Sequence, residues 1–333
     1  MSVRSLFGWL ILFWLATGAA RAETCPPLQL LDQIQMVPVN DATTMLVPVA
    51  INGVEKLMIF DTGASASSVT RALADELGLS VHPGIRGTRL YDVYGDQSVD
   101  VTTIEDFKFG QQNVRGGRYR IWPNPDLDKV DARLAGVLAR DELFQFDIDL
   151  DFPNATLKLF SPGHCQGNIL YWKAAAIGVG EFDTRADHIN ISATLDGQKL
   201  NAIVDTGAVN SILSADAARR FFGLTADSPG IKRSAILTKS PQYPVYQHQF
   251  SELDFNGVNV RNLVIAIWPN IINRNADRSL QNTHNRAIPM SVGVDPSQLI
   301  IGMDILRKLH IYIAIRERRM YISGASVNSA VSK

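Results

Sequence analysis

The feature that most constrains this chain is a repeat. Met58-Ile59-Phe60-Asp61-Thr62-Gly63-Ala64 returns as Ala202-Ile203-Val204-Asp205-Thr206-Gly207-Ala208, 144 residues later. The hairpin dipeptide Asn52-Gly53 returns as Asp196-Gly197 at the same offset, and Ser67 returns as Ser211. Ile121-Trp122-Pro123-Asn124 matches Ile267-Trp268-Pro269-Asn270, and Val137 to Leu143 matches Ile300 to Leu306. A duplication of this length predicts two similarly folded lobes related by an approximate two-fold axis. The axis would map Asp61 onto Asp205.

Each copy reads as β structure around one short helix. Met45, Val47, Val49 and Ile51 alternate with other residues, as do Ile189, Ile191, Ala193 and Leu195; that period of two marks a half-buried strand. The continuously apolar run Leu57 to Phe60 reads as the returning strand, buried on both faces, that delivers Asp61 to its end. Arg71 to Leu79 and Ala215 to Phe222 read as helices stopped by Gly78 and Gly223. Phe144 to Leu150 and His310 to Ile322 alternate and close the two copies. Asp147, Asp149 and Asp151 fall on the first of these and read as solvated acids on a strand face. Cys25 to Asn40 reads as a short lead-in. These features divide the chain into a signal peptide (1–22), an N-terminal lobe (23–160), a linker (161–186), a C-terminal lobe (187–325) and a tail (326–333).

The first residues read as an export signal. Arg4 precedes the apolar stretch Leu6 to Ala20, and Ala20-Arg21-Ala22 is a small-x-small cleavage site, which puts the mature chain in an exported, periplasmic or secreted compartment with no stable membrane insertion. Export makes a disulfide between Cys25 and Cys165 feasible, and spacing alone leaves it open. With 32 Lys and Arg against 33 Asp and Glu, the formal net charge is −1, which argues against a nucleic-acid partner. The six histidines are scattered, with no helical pair of the kind that holds a metal.

One Asp-Thr-Gly is usually a strand-ending turn. Two copies at equivalent places in two repeats are different, because strand ends that meet at the axis bring two carboxyls face to face. Carboxyls about 3 Å apart cannot both ionise cheaply and so share a proton. One can then take a proton from water while the other donates one. Gly63 and Gly207 allow close backbone approach and offer amides to the acids, and Thr62 and Thr206 can direct hydroxyls across the axis.

The paired apolar-apolar-Asp-Thr-Gly-Ala motifs, each followed by an apolar-apolar-Gly-like segment and a closing strand, resemble the aspartic proteases. Ala64 and Ala208 resemble the retroviral-type branch more than the pepsin branch. A retroviral enzyme is a homodimer, whereas this chain carries both halves. The resemblance, over Met45 to Ile322, implies an all-β bilobal fold with a peptide cleft between two β-barrel lobes. It implies a monomeric endopeptidase acting through Asp61 and Asp205, with no metal or organic cofactor and a peptide or protein as substrate. It also implies a hairpin flap, for which Tyr91 to Gln97 is the candidate, with Tyr94 beside Gly95 at the tip. The segment Leu237 to Tyr246, with Pro241 and Pro244, is a poorer second flap. The loop 271–298, rich in Asn, Arg, Ser and His, reads as exposed, and the sequence leaves open whether it gates the cleft. The chain departs from the pattern where Ala139 replaces the expected glycine and where Val209 stands opposite Ser65. Two other readings are a glycosidase, whose carboxyls stand about 5 Å or more apart, and a non-catalytic peptide-binding module.

Overall fold

The computed structural model describes residues 25–84, 90–91, 97–123, 131–184, 188–235, 244–269 and 298–324. The chain is all-β, with four short helices among the described residues. Two sheets are built to one plan. In the first, the neighbours run Thr44–Ile51, Val54–Phe60, Leu134–Leu138, Ser68–Val69, Gln112–Ile121 and Asp100–Phe109, and the last pairs back onto Thr44–Ile51. In the second they run Asn190–Leu195, Gln198–Val204, Leu299–Ile301, Ile212–Ser214, Val258–Trp268 and Tyr246–Phe255, closing onto Asn190–Leu195. The strand directions agree step for step: a hairpin, then parallel, antiparallel, parallel and antiparallel pairings. The repeat is therefore expressed as topology.

Local chemistry explains the equivalent parts. The first hairpin of each sheet turns through two left-handed residues, Asn52 (φ 48°) and Gly53 (φ 80°) in one, Asp196 (φ 42°) and Gly197 (φ 78°) in the other. Such turns match the right-handed twist of the strands they join. Helix Arg71–Glu76 starts on Thr70, whose hydroxyl accepts from the Leu73 amide; helix Ala215–Phe222 starts on Ser214, whose hydroxyl accepts from the Ala217 amide. The second helix stops at Gly223, left-handed at φ 65°. Apolar faces of both closed sheets feed one core that includes Met45, Phe60, Phe107, Phe109, Phe250 and Phe255.

A third sheet of six strands is shared between the halves. Its order is Leu30–Gln35, Thr156–Phe160, Asp147–Asp151, Leu309–Ala314, Arg319–Gly324 and Gly178–Glu181. The central pairing, Ile148 with Ile313 and Leu150 with Ile311, joins strands from the two repeats. Two sequence expectations change here. The lead-in contains the edge strand Leu30–Gln35, and the segment expected as linker contributes the opposite edge strand, Gly178–Glu181.

The acids on the Asp147–Asp151 strand are a correction. Asp147 and Asp149 are fully buried rather than solvated. Ile148 and Leu150 face the main core, so the acids face the other side, which is covered by the segment after Ser161. That cover is tied down by the Cys25–Cys165 disulfide, whose Cα atoms lie 5.1 Å apart. Beneath it, His164 Nε2 lies 2.5 Å from Asp147 Oδ2, and the Ile315 amide donates to Asp147 Oδ1 at 2.8 Å. His310 Nε2 lies 2.8 Å from Asp149 Oδ2, with Trp172 stacked on its ring at 4.5 Å. The alternation was correctly read; the cover comes from a distant stretch that alternation does not reveal.

These pairs set a direction for stability against pH. Burial alone would depress the His164 imidazolium, but the Cys165 carbonyl and the Asp147 and Glu317 carboxylates outweigh it, and the net shift is upward. Burial raises Asp147 despite the bonds from His164, Ile315 and Tyr312. Both folded values lie above the unfolded ones, so the folded chain binds more protons. The His164 contribution is fully present below the unfolded imidazole value of about 6.5 and is lost as pH rises through the raised folded value. The Asp147 contribution is lost in the same direction at lower pH. The thermal midpoint should therefore be higher near pH 5 than near pH 8, and His164→Phe should shrink the difference. A midpoint that climbs toward pH 8 would contradict this account.

Candidate active site

Asp61 and Asp205 follow the ends of equivalent strands, Val54–Phe60 and Gln198–Val204. Each is fixed by the parallel strand beside it: the Asp61 amide donates to the Leu138 carbonyl and the Asp205 amide to the Ile301 carbonyl, both at 3.0 Å. The turn after each acid then folds back onto it. Asp61 Oδ1 accepts from the Gly63 and Ala64 amides at 2.8 and 2.9 Å; Asp205 Oδ1 accepts from the Gly207 and Ala208 amides at 2.8 and 3.1 Å. Each carboxyl also lies against the glycine of the opposite turn.

The turns are locked across the axis by their threonines, which are buried. The Thr62 hydroxyl donates to the Val204 carbonyl at 2.8 Å and accepts from the Thr206 amide at 3.1 Å. The Thr206 hydroxyl donates to the Phe60 carbonyl at 2.8 Å and accepts from the Thr62 amide at 3.0 Å. Each hydroxyl thus uses its donor and an acceptor site on the opposite half. The glycines have an equally reciprocal reason. A Cβ on Gly63 would overlap the Asp205 carboxyl, and one on Gly207 would overlap that of Asp61.

Burial raises the pKa of both acids. For Asp61, which is raised well above its usual value, the Asp205 charge and the hydrogen bond to Asp205 add to burial and outweigh the Gly63 and Ala64 amides. For Asp205, burial is opposed by the Gly207 amide, the bond from Asp61, the Ala208 amide and the charge of His188. The pair therefore takes up its first proton more readily than an exposed carboxylate, and the proton is shared.

Behind the turns lies a second symmetric layer that sequence reasoning did not single out. The Ser67 amide and hydroxyl both donate to Asp141 Oδ1, at 2.9 and 2.6 Å, and Ser67 Oγ accepts from the Ala139 amide at 2.9 Å. Ser211 repeats this with Asp304 Oδ1 at 2.9 and 2.7 Å, and with the Gly302 amide at 3.0 Å. The signal was in the sequence: a serine six residues after each Asp, and an Asp two residues after Ala139 and Gly302. Asp304→Ala would strand two donors of Ser211, at a cost of about 2–4 kcal/mol, whereas Asp304→Asn keeps an acceptor and should lose less than half of that. Urea unfolding of both variants would measure it.

The exchange of Gly302 for Ala139 has a visible consequence. A Cβ on Gly302 would come within 2.6 Å of the Asn210 backbone. Here the Met303 amide reaches the Ala208 carbonyl at 2.8 Å, whereas the equivalent Arg140 amide reaches Ala64 at 3.4 Å. The alanine methyl holds the first turn slightly off its neighbour without breaking the layer. Ser65 and Val209 are both exposed, and the amide bonds to Asp61 and Asp205 follow one pattern.

Strands Leu90–Tyr91 and Gln97–Ser98 pair antiparallel, Leu90 with Ser98 and Tyr91 with Gln97. Tyr94 and Gly95, expected between them at the tip, lie outside the described residues, as do 236–243 and 270–297. Among the described residues, no group of three or more His, Cys, Asp or Glu is placed to hold a metal, and no helix is long and apolar enough to cross a membrane.

Two duplicated closed sheets whose Asp-Thr-Gly turns interlock, each acid set against the opposite glycine, define the architecture of an aspartic protease. A family model described as aspartyl protease matches residues 47–131 and 191–305, and the chain belongs to that family. No curated protein matches it.

Proposed function

We propose that the chain is a single-chain, two-lobe aspartic endopeptidase of the retroviral type, with Asp61 and Asp205 as its catalytic pair and lobes spanning 23–160 and 187–325. One observation carries the reading. Two carboxyls with raised pKa values, Asp61 raised in part by the Asp205 charge, lie against each other's turns over a threonine lock. Such mutual influence fits a pair that shares a proton better than the separate acid and base of a glycosidase.

In the singly protonated pair, the ionised carboxyl accepts a proton from a bound water while the water oxygen attacks the peptide carbonyl carbon. The protonated carboxyl gives its proton to the carbonyl oxygen. The product is a neutral tetrahedral diol, with no bond to the enzyme. Its collapse breaks the C–N bond: the newly protonated carboxyl gives its proton to the nitrogen, and the other carboxylate takes one from a diol hydroxyl as the carbonyl reforms. The Gly63, Ala64, Gly207 and Ala208 amides hold the inner oxygens in place, so the carboxyls need not reorganise between steps. Tyr94 and Gly95 would close over the substrate from the flap. The chemistry needs no cofactor, and the partner is a peptide or protein.

The Cys25–Cys165 bridge fits an oxidising compartment and supports export after cleavage near Ala22. The test is incubation of the mature protein with a diverse peptide library between about pH 3 and pH 8, with products read by mass spectrometry. Endoproteolytic fragments over an acidic, bell-shaped pH range are expected. A folded protein that cuts nothing would overturn the reading and leave a peptide-binding module.

A further inference from the structure

The two halves of the carboxyl pair are not chemically equal. In the first closed sheet, Leu46 pairs with Ile59 across the hairpin, a register that sets Thr44 opposite Asp61 at the strand ends. In the second, Asn190 pairs with Ile203, and the Val204 amide donates to the Ile189 carbonyl at 3.1 Å, so the same register sets His188 opposite Asp205. Thr44 and His188 are 144 residues apart, the offset that relates the acids. Residues directly opposite in an antiparallel pair share a face of the sheet, with Cβ atoms about 5 Å apart. The equivalent register positions thus carry a hydroxyl in one half and an imidazole in the other, and the imidazole's charge reaches Asp205.

The backbone at His188 is anchored. Its carbonyl accepts from Asn190 Nδ2 at 3.1 Å, and Asn190 exchanges two amide bonds with Asp183, at 3.0 and 2.9 Å. His188 itself is half-buried. The acids that bear on it are Asp205 across the strand pair, Asp61 behind Asp205 through their shared hydrogen bond, and Asp183 on the adjoining bridge. An imidazole is cationic in the acid range where carboxylates titrate.

We propose that His188 is a positioning residue for the catalytic pair, holding the negative charge on Asp205 and leaving the shared proton on Asp61. Asp205 then serves as the base toward water and Asp61 as the acid toward the carbonyl in the first step. The catalytic roles rest on the function proposed above; the charge placement does not. The His188 charge is the smallest of the influences that draw Asp205 down, after the Gly207 amide, the Asp61 bond and the Ala208 amide, but it is the one without a counterpart beside Asp61.

The experiment is a pH titration of the aspartate carboxyl carbons by carbon-13 NMR in the intact mature protein, with Asp61→Asn and Asp205→Asn used to assign the signals. In the unmutated protein Asp205 should ionise at lower pH than Asp61. In His188→Thr, which copies the first half, the Asp205 step should move up by about half a pH unit, and His188→Lys should bring it back. His188→Gln, which keeps a long polar side chain, should show the same upward shift as His188→Thr. An Asp205 step that stays put when the imidazole is removed would overturn the proposal. So would Asp61 ionising first in the unmutated protein, an outcome that needs no variant to fold. The readout does not depend on turnover, so a protein that cleaves no peptide would fail the protease reading while the charge placement is still decided. Where peptides are cut, the acid limb of kcat/KM should move with the Asp205 step.

Discussion

Asparagine in place of Asp205 should abolish peptide hydrolysis and leave the fold intact, and the same holds for Asp61. An asparagine oxygen can still accept the two amide bonds that each Oδ1 receives from its own turn. What disappears is a group that carries a proton at one moment and lacks it at the next. Removing either member takes away both the acid and the base, because the proton belongs to the pair. The expected fall in kcat is on the order of 10⁴-fold, with no productive rescue at any pH. Stability should move the other way. Burial raises both acids, so ionising them in the folded chain is unfavourable, and a neutral amide removes that penalty near neutral pH. The thermal midpoint of either variant near pH 7 should equal or exceed that of the parent. Full activity in either variant would defeat the mechanism. A collapsed midpoint would show that the acids serve the fold instead.

The second large effect is expected from a single methyl group. Gly63→Ala places a Cβ into the Asp205 carboxyl, and Gly207→Ala does the same to Asp61. Relief requires the opposite acid to leave its amides or the two turns to separate, which stretches the threonine lock. Overpacking of this kind costs about 3 kcal/mol, and the displaced carboxyl no longer faces its partner. Both stability and kcat should fall together, measurable by urea unfolding and initial rates. Gly117→Ala is the control, since its Cβ would meet open space. If Gly63→Ala behaves like Gly117→Ala, the turns do not approach that closely.

Much of this was legible before any coordinates. The constant offset identified Asp61 and Asp205 as equivalents, and the hairpin dipeptides and glycine-stopped helices lie where their local chemistry put them. Three things were hidden, each for a physical reason. Asp141 and Asp304 lie in matched segments, but 163 residues apart rather than the 144 that relate Ser67 to Ser211, so no single spacing connects the acids to the serines. The strand Leu30–Gln35 lacks a clear alternation and owes its existence to pairing with Thr156–Phe160. The Asp147 and Asp149 side chains look like surface acids because period-two reasoning assigns faces without saying which face is covered. Their partners His164 and His310 arrive from 17 and 161 residues away.

The shared sheet has a consequence for how the chain comes into being. Its order is a palindrome: an edge strand, a hairpin, then the mirror hairpin and an edge strand, with the seam between Asp147–Asp151 and Leu309–Ala314. A nascent chain that has made only the first repeat holds Asp147–Asp151 as an open edge, and the strand that covers it is synthesised after the second closed sheet. Until then the edge is a template for any chain with the same edge, above all another copy of the same half. An N-terminal fragment ending near Phe160 would accordingly tend to dimerise through that seam, reconstructing from two molecules what the complete chain achieves within one. In that light, fusion of two repeats into one polypeptide turns a concentration-dependent encounter between halves into an intramolecular closure.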